Sequence, residues 1–154
     1  MTTKDLKNLV KEIVAQANSF KNTLINENAP VNYACIFSQN DEEFNMFFEV
    51  TKRLGGKVVI ETQAGPVFQI DPLSTVAGNL QLLKIRKPDN KRPERGDADF
   101  TLQDYNKFKK EHLSEPGFKL IKRDTFEMIE AISPDYNVLV YFSNPPLDKQ
   151  LGII

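Results

Sequence analysis

Between residues 4 and 22 the apolar side chains Leu6, Leu9, Val10, Ile13, Val14, Ala17 and Phe20 recur at spacings of three and four, with lysines, Asp5 and Glu12 between them. That period predicts an amphipathic helix whose stripe is buried on its own domain or on a second subunit. The Asn-rich stretch from Asn22 to Pro30 then marks a boundary. Beyond it the pattern changes to short apolar runs punctuated by caps and glycines. It predicts a strand at 31–37, a helix at 41–54 capped by Asp41, and strands near 57–61, 66–70 and 79–87. Gly55-Gly56 supplies the helix stop, because glycine tolerates the left-handed backbone of many helix ends. A second series follows: a strand at 97–101, a helix at 104–113 capped by Asp104, and strands at 118–123, 126–132 and 137–143.

The two series read as copies of one unit. Phe37-Ser38-Gln39-Asn40-Asp41 and Phe100-Thr101-Leu102-Gln103-Asp104 each open a strand-to-helix turn, and Gly55 and Gly117 each lead a following strand. Pro72 and Pro134 are read as matching turn prolines, and each unit closes on an apolar strand running into proline, at Pro88 and Pro146. The predicted fold is therefore α+β. It has two tandem βαβββ modules with cupped, mainly antiparallel sheets, preceded by the amphipathic helix. The expected divisions are helix and loop 1–30, first module 31–88, basic linker 89–96, second module 97–146 and tail 147–154, all within one compact domain. Modules of this size are too small to be stable apart and are expected to share a core or an interface.

Bulk properties narrow the function classes. With 20 basic and 21 acidic residues and one histidine, the net charge is −1, which argues against a dedicated nucleic-acid binder. No apolar run reaches membrane-spanning length and the first residues are charged throughout, so neither a membrane span nor a signal peptide is expected. The single cysteine, Cys35, lies in the apolar run Tyr33-Ala34-Cys35-Ile36-Phe37, excludes an internal disulfide and fits a cytoplasmic location. Only the segment 84–95 is locally basic, with six cations against two acids. It reads as a solvated connection, or else as a phosphate-binding strip.

Alternation along the strands sorts side chains into two faces. Leu80, Leu82, Val138, Val140 and Phe142, with Phe37, Ala98 and Phe100, suit the side beneath the helices. The opposite face then carries Gln69, Gln81, Asp97, Asp99, Arg123, Glu127 and Tyr141, which either meet water or line a hollow between the modules. Glu130 falls on the apolar side, which requires it to be buried and paired unless the register differs.

Duplicated βαβββ modules resemble the vicinal oxygen chelate superfamily of glyoxalases, bleomycin-resistance proteins and extradiol dioxygenases. The resemblance covers residues 31–146 and implies cupped sheets around a small-molecule cavity. In the enzymes of that group it implies a divalent metal held by His, Gln or Glu from the first and last strands. The matching strands here offer Asn32, Tyr33, Cys35, Gln81, Lys84, Asp97, Asp99 and Tyr141, with no first-strand histidine and no last-strand carboxylate. That is a poor donor set for zinc, nickel or iron, and neither a metal nor another cofactor is expected. His112, near the end of the second helix, is read as a surface residue.

The candidate chemistry rests on few groups. Glu127 and Asp99 are the candidate bases; Arg123, Tyr141, Gln69 and Gln81 are the candidate ligand-binding residues. Asp97 shares its face with Asp99, and such pairs can divide acid and base roles, with Asp99 the more central of the two. Glu127 and Arg123 can equally form an ordinary cross-strand ion pair. The leading expectation is a metal-independent small-molecule-binding protein that forms a homodimer through the amino-terminal helix or the sheet edges. The alternatives are an isomerase or lyase acting on a small anionic substrate with a carboxylate base, and a protein or nucleic-acid interaction module using the segment 84–95.

Overall fold

The computed structural model describes residues 1–153. Helix α1 (Thr3–Leu24) begins in a reciprocal cap: the Thr2 hydroxyl accepts from the Asp5 amide at 3.0 Å while the Thr2 amide donates to the Asp5 carboxylate at 2.9 Å. The first module is β1 (Val31–Phe37), α2 (Asp41–Lys52), β2 (Lys57–Thr62), β3 (Gly65–Thr75) and β4 (Gly78–Arg86). The second is β5 (Gly96–Phe100), α3 (Tyr105–His112), β6 (Phe118–Lys122), β7 (Glu127–Ala131) and β8 (Val138–Asn144). A short helix, α4 (Leu147–Gln150), lies in what the sequence presents only as a tail.

All eight strands join one open sheet in the order β2-β3-β4-β1-β5-β8-β7-β6. Each module contributes one half, the two meeting at an antiparallel β1–β5 seam; β1–β4 and β5–β8 are parallel, and the other pairings are antiparallel. The three longer helices cover one face. The stripe predicted on α1 is spent there: Leu6, Val10, Ile13, Val14, Ala17 and Phe20 are buried against β1, β5 and β8. The stripe is thus used within the chain, and β2 and β6 are the free edges of the sheet. Edge β2 exposes Val58 and Ile60.

Several expected details change. Asn40, not Asp41, caps α2, its side chain accepting from the Glu43 amide at 2.8 Å, whereas Asp104 caps α3 as predicted. Gly55 has φ +76°, the left-handed conformation expected at that helix end. Pro72 is not a turn residue: it lies inside β3, in the irregularity between Gln69 and Leu73 where the ladder with β4 slips. There the alternation changes phase, so Leu80 and Leu83 both face the helix layer while Leu82 faces away. Phe37 also faces away from the helices, packing with Cys35, Leu139 and Tyr141, whereas Phe100 lies in the helix-side core. The caps Asn40 and Asp104 thus correspond, and Phe37 and Phe100 are one residue out of register, which inverts the face.

Candidate functional site

The face away from the helices is concave, and its floor is the seam. Pairing β1 with β5 sets Cys35 opposite Asp97 and Tyr33 opposite Asp99. The parallel neighbours add Lys84 and Arg86 from β4 and Tyr141 from β8, and β7 brings Glu130 beside Tyr141. The sheet curls enough that the β2–β3 turn, at Thr62 to Ala64, and the β6–β7 hairpin, at Ile121, Arg123 and Phe126, border one cavity of about 520 Å³. An apolar recess of about 140 Å³ adjoins it. The two share Tyr33, Thr62, Lys84, Phe126 and Met128, and Ile60, Val67 and Leu147 close the recess. A hollow of about 610 Å³ lies on the helix side, where both lining carboxylates nearest the α3 start are engaged: Asp104 caps α3, and Glu27 accepts from the Gln103 amide at 2.9 Å.

The charges at the concave cavity are unequal. Lys84, Arg86, Arg92 and Arg123 face only two acids, Asp97 and Glu130. Glu130 is held by Arg92 at 3.0 Å and by the Tyr141 hydroxyl, which donates to it at 2.6 Å; Arg92 also pairs with Glu94 at 3.6 Å. Arg86 pairs with Asp89 at 3.2 Å. Among the described residues Lys84 and Arg123 hold no carboxylate, and Arg123 donates only to the Lys122 carbonyl. These two cations are the ones an incoming anion would meet uncompensated.

Asp97 lines the cavity at 5% exposure, and its Oδ1 is buried without a hydrogen-bond partner. Burial raises its carboxyl to about 7, even though Lys84 and Arg86 pull in the opposite direction. Asp99 lies deeper, at 0% exposure, accepting from the Ser143 hydroxyl; burial pushes its carboxyl well above the ordinary carboxylate range. Cys35 is buried as expected, and desolvation pushes its thiol well up, which makes it inert at neutral pH.

The structure brings together only part of the expected site. Arg123 and Tyr141 line the cavity, but Asp99 sits beneath its surface and Asp97 takes its place at the wall. Glu127 points the other way: its carboxylate accepts from Tyr105 Oη and Lys109 Nζ of α3, each at 2.8 Å. Those bonds, the lysine's first, hold it below the usual carboxylate range, the opposite of a poised base. Gln69 and Gln81 line neither cavity; on the first module's share of the concave face Leu147, Leu151 and Ile153 pack on Tyr33, Val67 and Leu82. His112 is half-buried, its ring tilted against Phe108 and bonded to Glu115 at 2.6 Å, and it does not line the concave cavity. Sequence reasoning puts Asp97 on this face but prefers Asp99, and it misses Glu130 as a wall residue. The signal was there in Glu130, which alternation placed on a buried face with Met128.

The basic segment is similarly recast. All three of its arginines, Arg86, Arg92 and Arg95, are ion-paired, Arg95 forming a two-pronged bridge to Glu43 at 2.9 and 3.0 Å. The strip therefore offers a phosphate backbone less uncompensated charge than its composition suggests.

Two βαβββ halves sharing one curled sheet, with a polar cavity on the concave side, define a fold of the vicinal oxygen chelate type. No family model and no curated protein matches the chain. Among solved structures, Protein EC4020 from structural genomics overlays 96% of this chain and 91% of its own, with a TM-score of 0.68 and 10% identity, so the whole architecture recurs there. A glyoxalase/bleomycin resistance protein/dioxygenase superfamily member from Vibrio splendidus 12B01 overlays 75% of this chain and 97% of its own at TM-score 0.42 and 10% identity. Methylmalonyl-CoA epimerase from Mycobacterium tuberculosis overlays 78% and 91% at 0.44 and 14%. These last two overlays are partial.

A divalent metal does not fit this cavity. Among the described residues no three His, Cys, Asp or Glu side chains are grouped to hold one, and the two acids at the wall are outnumbered by cations.

Proposed function

We propose that the protein binds a small organic anion in the concave cavity, without a metal. The observation that carries this is the charge imbalance of a two-module cavity of about 520 Å³, four cations against two acids, with Lys84 and Arg123 uncompensated. The volume lies in the range of small-molecule sites, and desolvation strengthens charge-assisted contacts there. Isothermal titration with 3-phenylpropionate and phenyl phosphate tests the reading. Binding that weakens about tenfold in the Lys84→Ala and Arg123→Ala variants supports it. Affinities untouched by either substitution, or no binding of any anion, would refute it.

A second reading, proton transfer on a bound acid, is favoured by the raised carboxyl of Asp97 at the cavity wall, since a base is most useful when poised near the working pH. In this reading the isomerase or lyase chemistry uses Asp97 in place of Glu127 and Asp99. Exchange of the acid's α-hydrogen with D2O, followed by NMR and lost in Asp97→Ala, is the expected result; no exchange above the buffer rate removes this reading and leaves the binding one.

A further inference from the structure

Resting on the anion-binding reading, we propose that the ligand is a small acid that carries a hydroxyl or ammonium group next to its anionic group and a compact apolar end. Its donor is read by Asp97, and its apolar end by the recess beneath α4. Three features of the cavity converge on that chemistry.

The first is Asp97 itself. Its side chain is 95% buried by its 5% exposure, it borders the cavity, and Oδ1 has no hydrogen-bond partner. A buried acceptor left empty costs stability. Four cations stand around the cavity, yet none donates to this oxygen: Arg86 and Arg92 are turned to Asp89 and Glu130, and Arg123 donates to the Lys122 carbonyl. A ligand without a donor would seal that oxygen further from water and leave it unsatisfied. One bearing a hydroxyl or ammonium group would satisfy it.

The second feature is position. Lys84 is the direct neighbour of Cys35 across the β1–β4 ladder, and Cys35 is the direct neighbour of Asp97 across the seam. The uncompensated cation and the uncompensated acceptor therefore lie two strands apart on one face. Adjacent strands are spaced about 4.8 Å, so a span of roughly 10 Å between backbones, shortened by two side chains converging on the cavity, suits groups on neighbouring carbons. The third is the recess of about 140 Å³ that shares Lys84 and Tyr33 with the cavity and is closed by Ile60, Val67 and Leu147. An apolar space of about 150 Å³ is enough to admit benzene.

The test uses the full chain and three probes that differ by one group: 3-phenyllactate, 3-phenylpropionate, which lacks the hydroxyl, and lactate, which lacks the ring. Calorimetric titration at pH 8 should rank phenyllactate about tenfold or more above each of the other two, and Asp97→Ala should erase its advantage over phenylpropionate, the two affinities in that variant falling within about twofold of each other. Asp97→Asn, which preserves size, guards against misfolding of the alanine variant and should retain part of the preference. Because the comparison between probes is made in the unaltered protein, it stands even if both variants fail to fold. Equal affinities for phenyllactate and phenylpropionate would overturn the proposal while leaving anion binding intact. Failure of all three acids to bind would overturn both.

Discussion

Replacing Asp97 by Asn should stabilise the ligand-free protein at pH 8, and the gain should depend on pH in a defined direction. The carboxyl moves from an ordinary 3.8 to about 7 on folding, driven first by burial and opposed by Lys84 and Arg86. Glu130 of β7 adds to the rise and Arg92 of the linker opposes it, while Cys35 and Tyr141 complete the surroundings as neutral groups. Because the folded-state value is raised, the folded protein holds a proton that the unfolded chain releases, so stability falls as pH climbs from 3.8 to about 7 and is level above that. At about 1.4 kcal/mol per pH unit the full penalty is about 4 kcal/mol. An asparagine never ionises but leaves its own amide incompletely bonded, so about half of that, ~2 kcal/mol, should be recovered at pH 8. For a chain of this length that amounts to roughly 4–8 °C in melting temperature. Thermal melts of both proteins from pH 4 to pH 8 provide the check. The asparagine variant should be the less stable by about 2 kcal/mol near pH 4, cross the parent between about pH 5 and 6, and lead by about 2 kcal/mol above pH 7. A difference that is constant with pH, or an asparagine variant less stable at pH 8, would refute the argument that Asp97 is a desolvated, unpartnered acid. A residue that costs stability at a cavity wall is also what a functional site is expected to contain.

Three further outcomes follow from the same geometry. Glu130→Ala should cost about 2–3 kcal/mol in urea denaturation, because it leaves the Tyr141 hydroxyl without its acceptor and Arg92 with only the longer pair to Glu94; Glu130→Gln, which can still accept from Tyr141, should cost less. Asn40→Ala should cost about 1 kcal/mol and Asp41→Ala only a few tenths, since the Glu43 amide is capped by Asn40. Glu127→Gln should leave phenyl phosphate affinity within about twofold and lower stability by under about 1 kcal/mol, because its partners Tyr105 and Lys109 lie on α3 and its pair with the lysine is partly exposed; a large loss of affinity would restore it to the cavity.

What the chain makes legible is governed by short range. The α1 stripe, the Asp104 cap, the Gly55 stop and the order of elements in each module depend on periodicity and on backbone preferences of neighbouring residues, so they can be read along the sequence. The element bounds agree to within a few residues, with one larger exception: β3 continues through Pro72 to Thr75, because the bulge there lets a proline sit in a strand.

Face assignment is less robust, since one extra residue inverts it. Alternation puts Phe37 and Leu82 beneath the helices, yet they lie on the other face, and it puts Glu127 in the hollow, yet it lies against α3. Alternation holds within a strand, but its phase is set by bulges and by cross-strand register, and these are properties of pairs of strands distant in the chain. Asp97 and Asp99 share one strand face in the sequence, and only the tertiary structure puts one at the wall and the other beneath it, opposite the Tyr33 that the carboxy-terminal residues cover.

By itself, then, the sequence determined the α+β class, the two βαβββ units, the leading helix and the expectation that residues from both units would surround a common hollow. Only the tertiary structure decided which carboxylates face that hollow, that the linker arginines are already paired, and that the carboxy-terminal segment fills the first module's side of it. The division follows from distance along the chain: local backbone and hydrophobic period act between neighbours, whereas burial, pKa and charge pairing are set by groups that meet only after the sheet has closed across the β1–β5 seam.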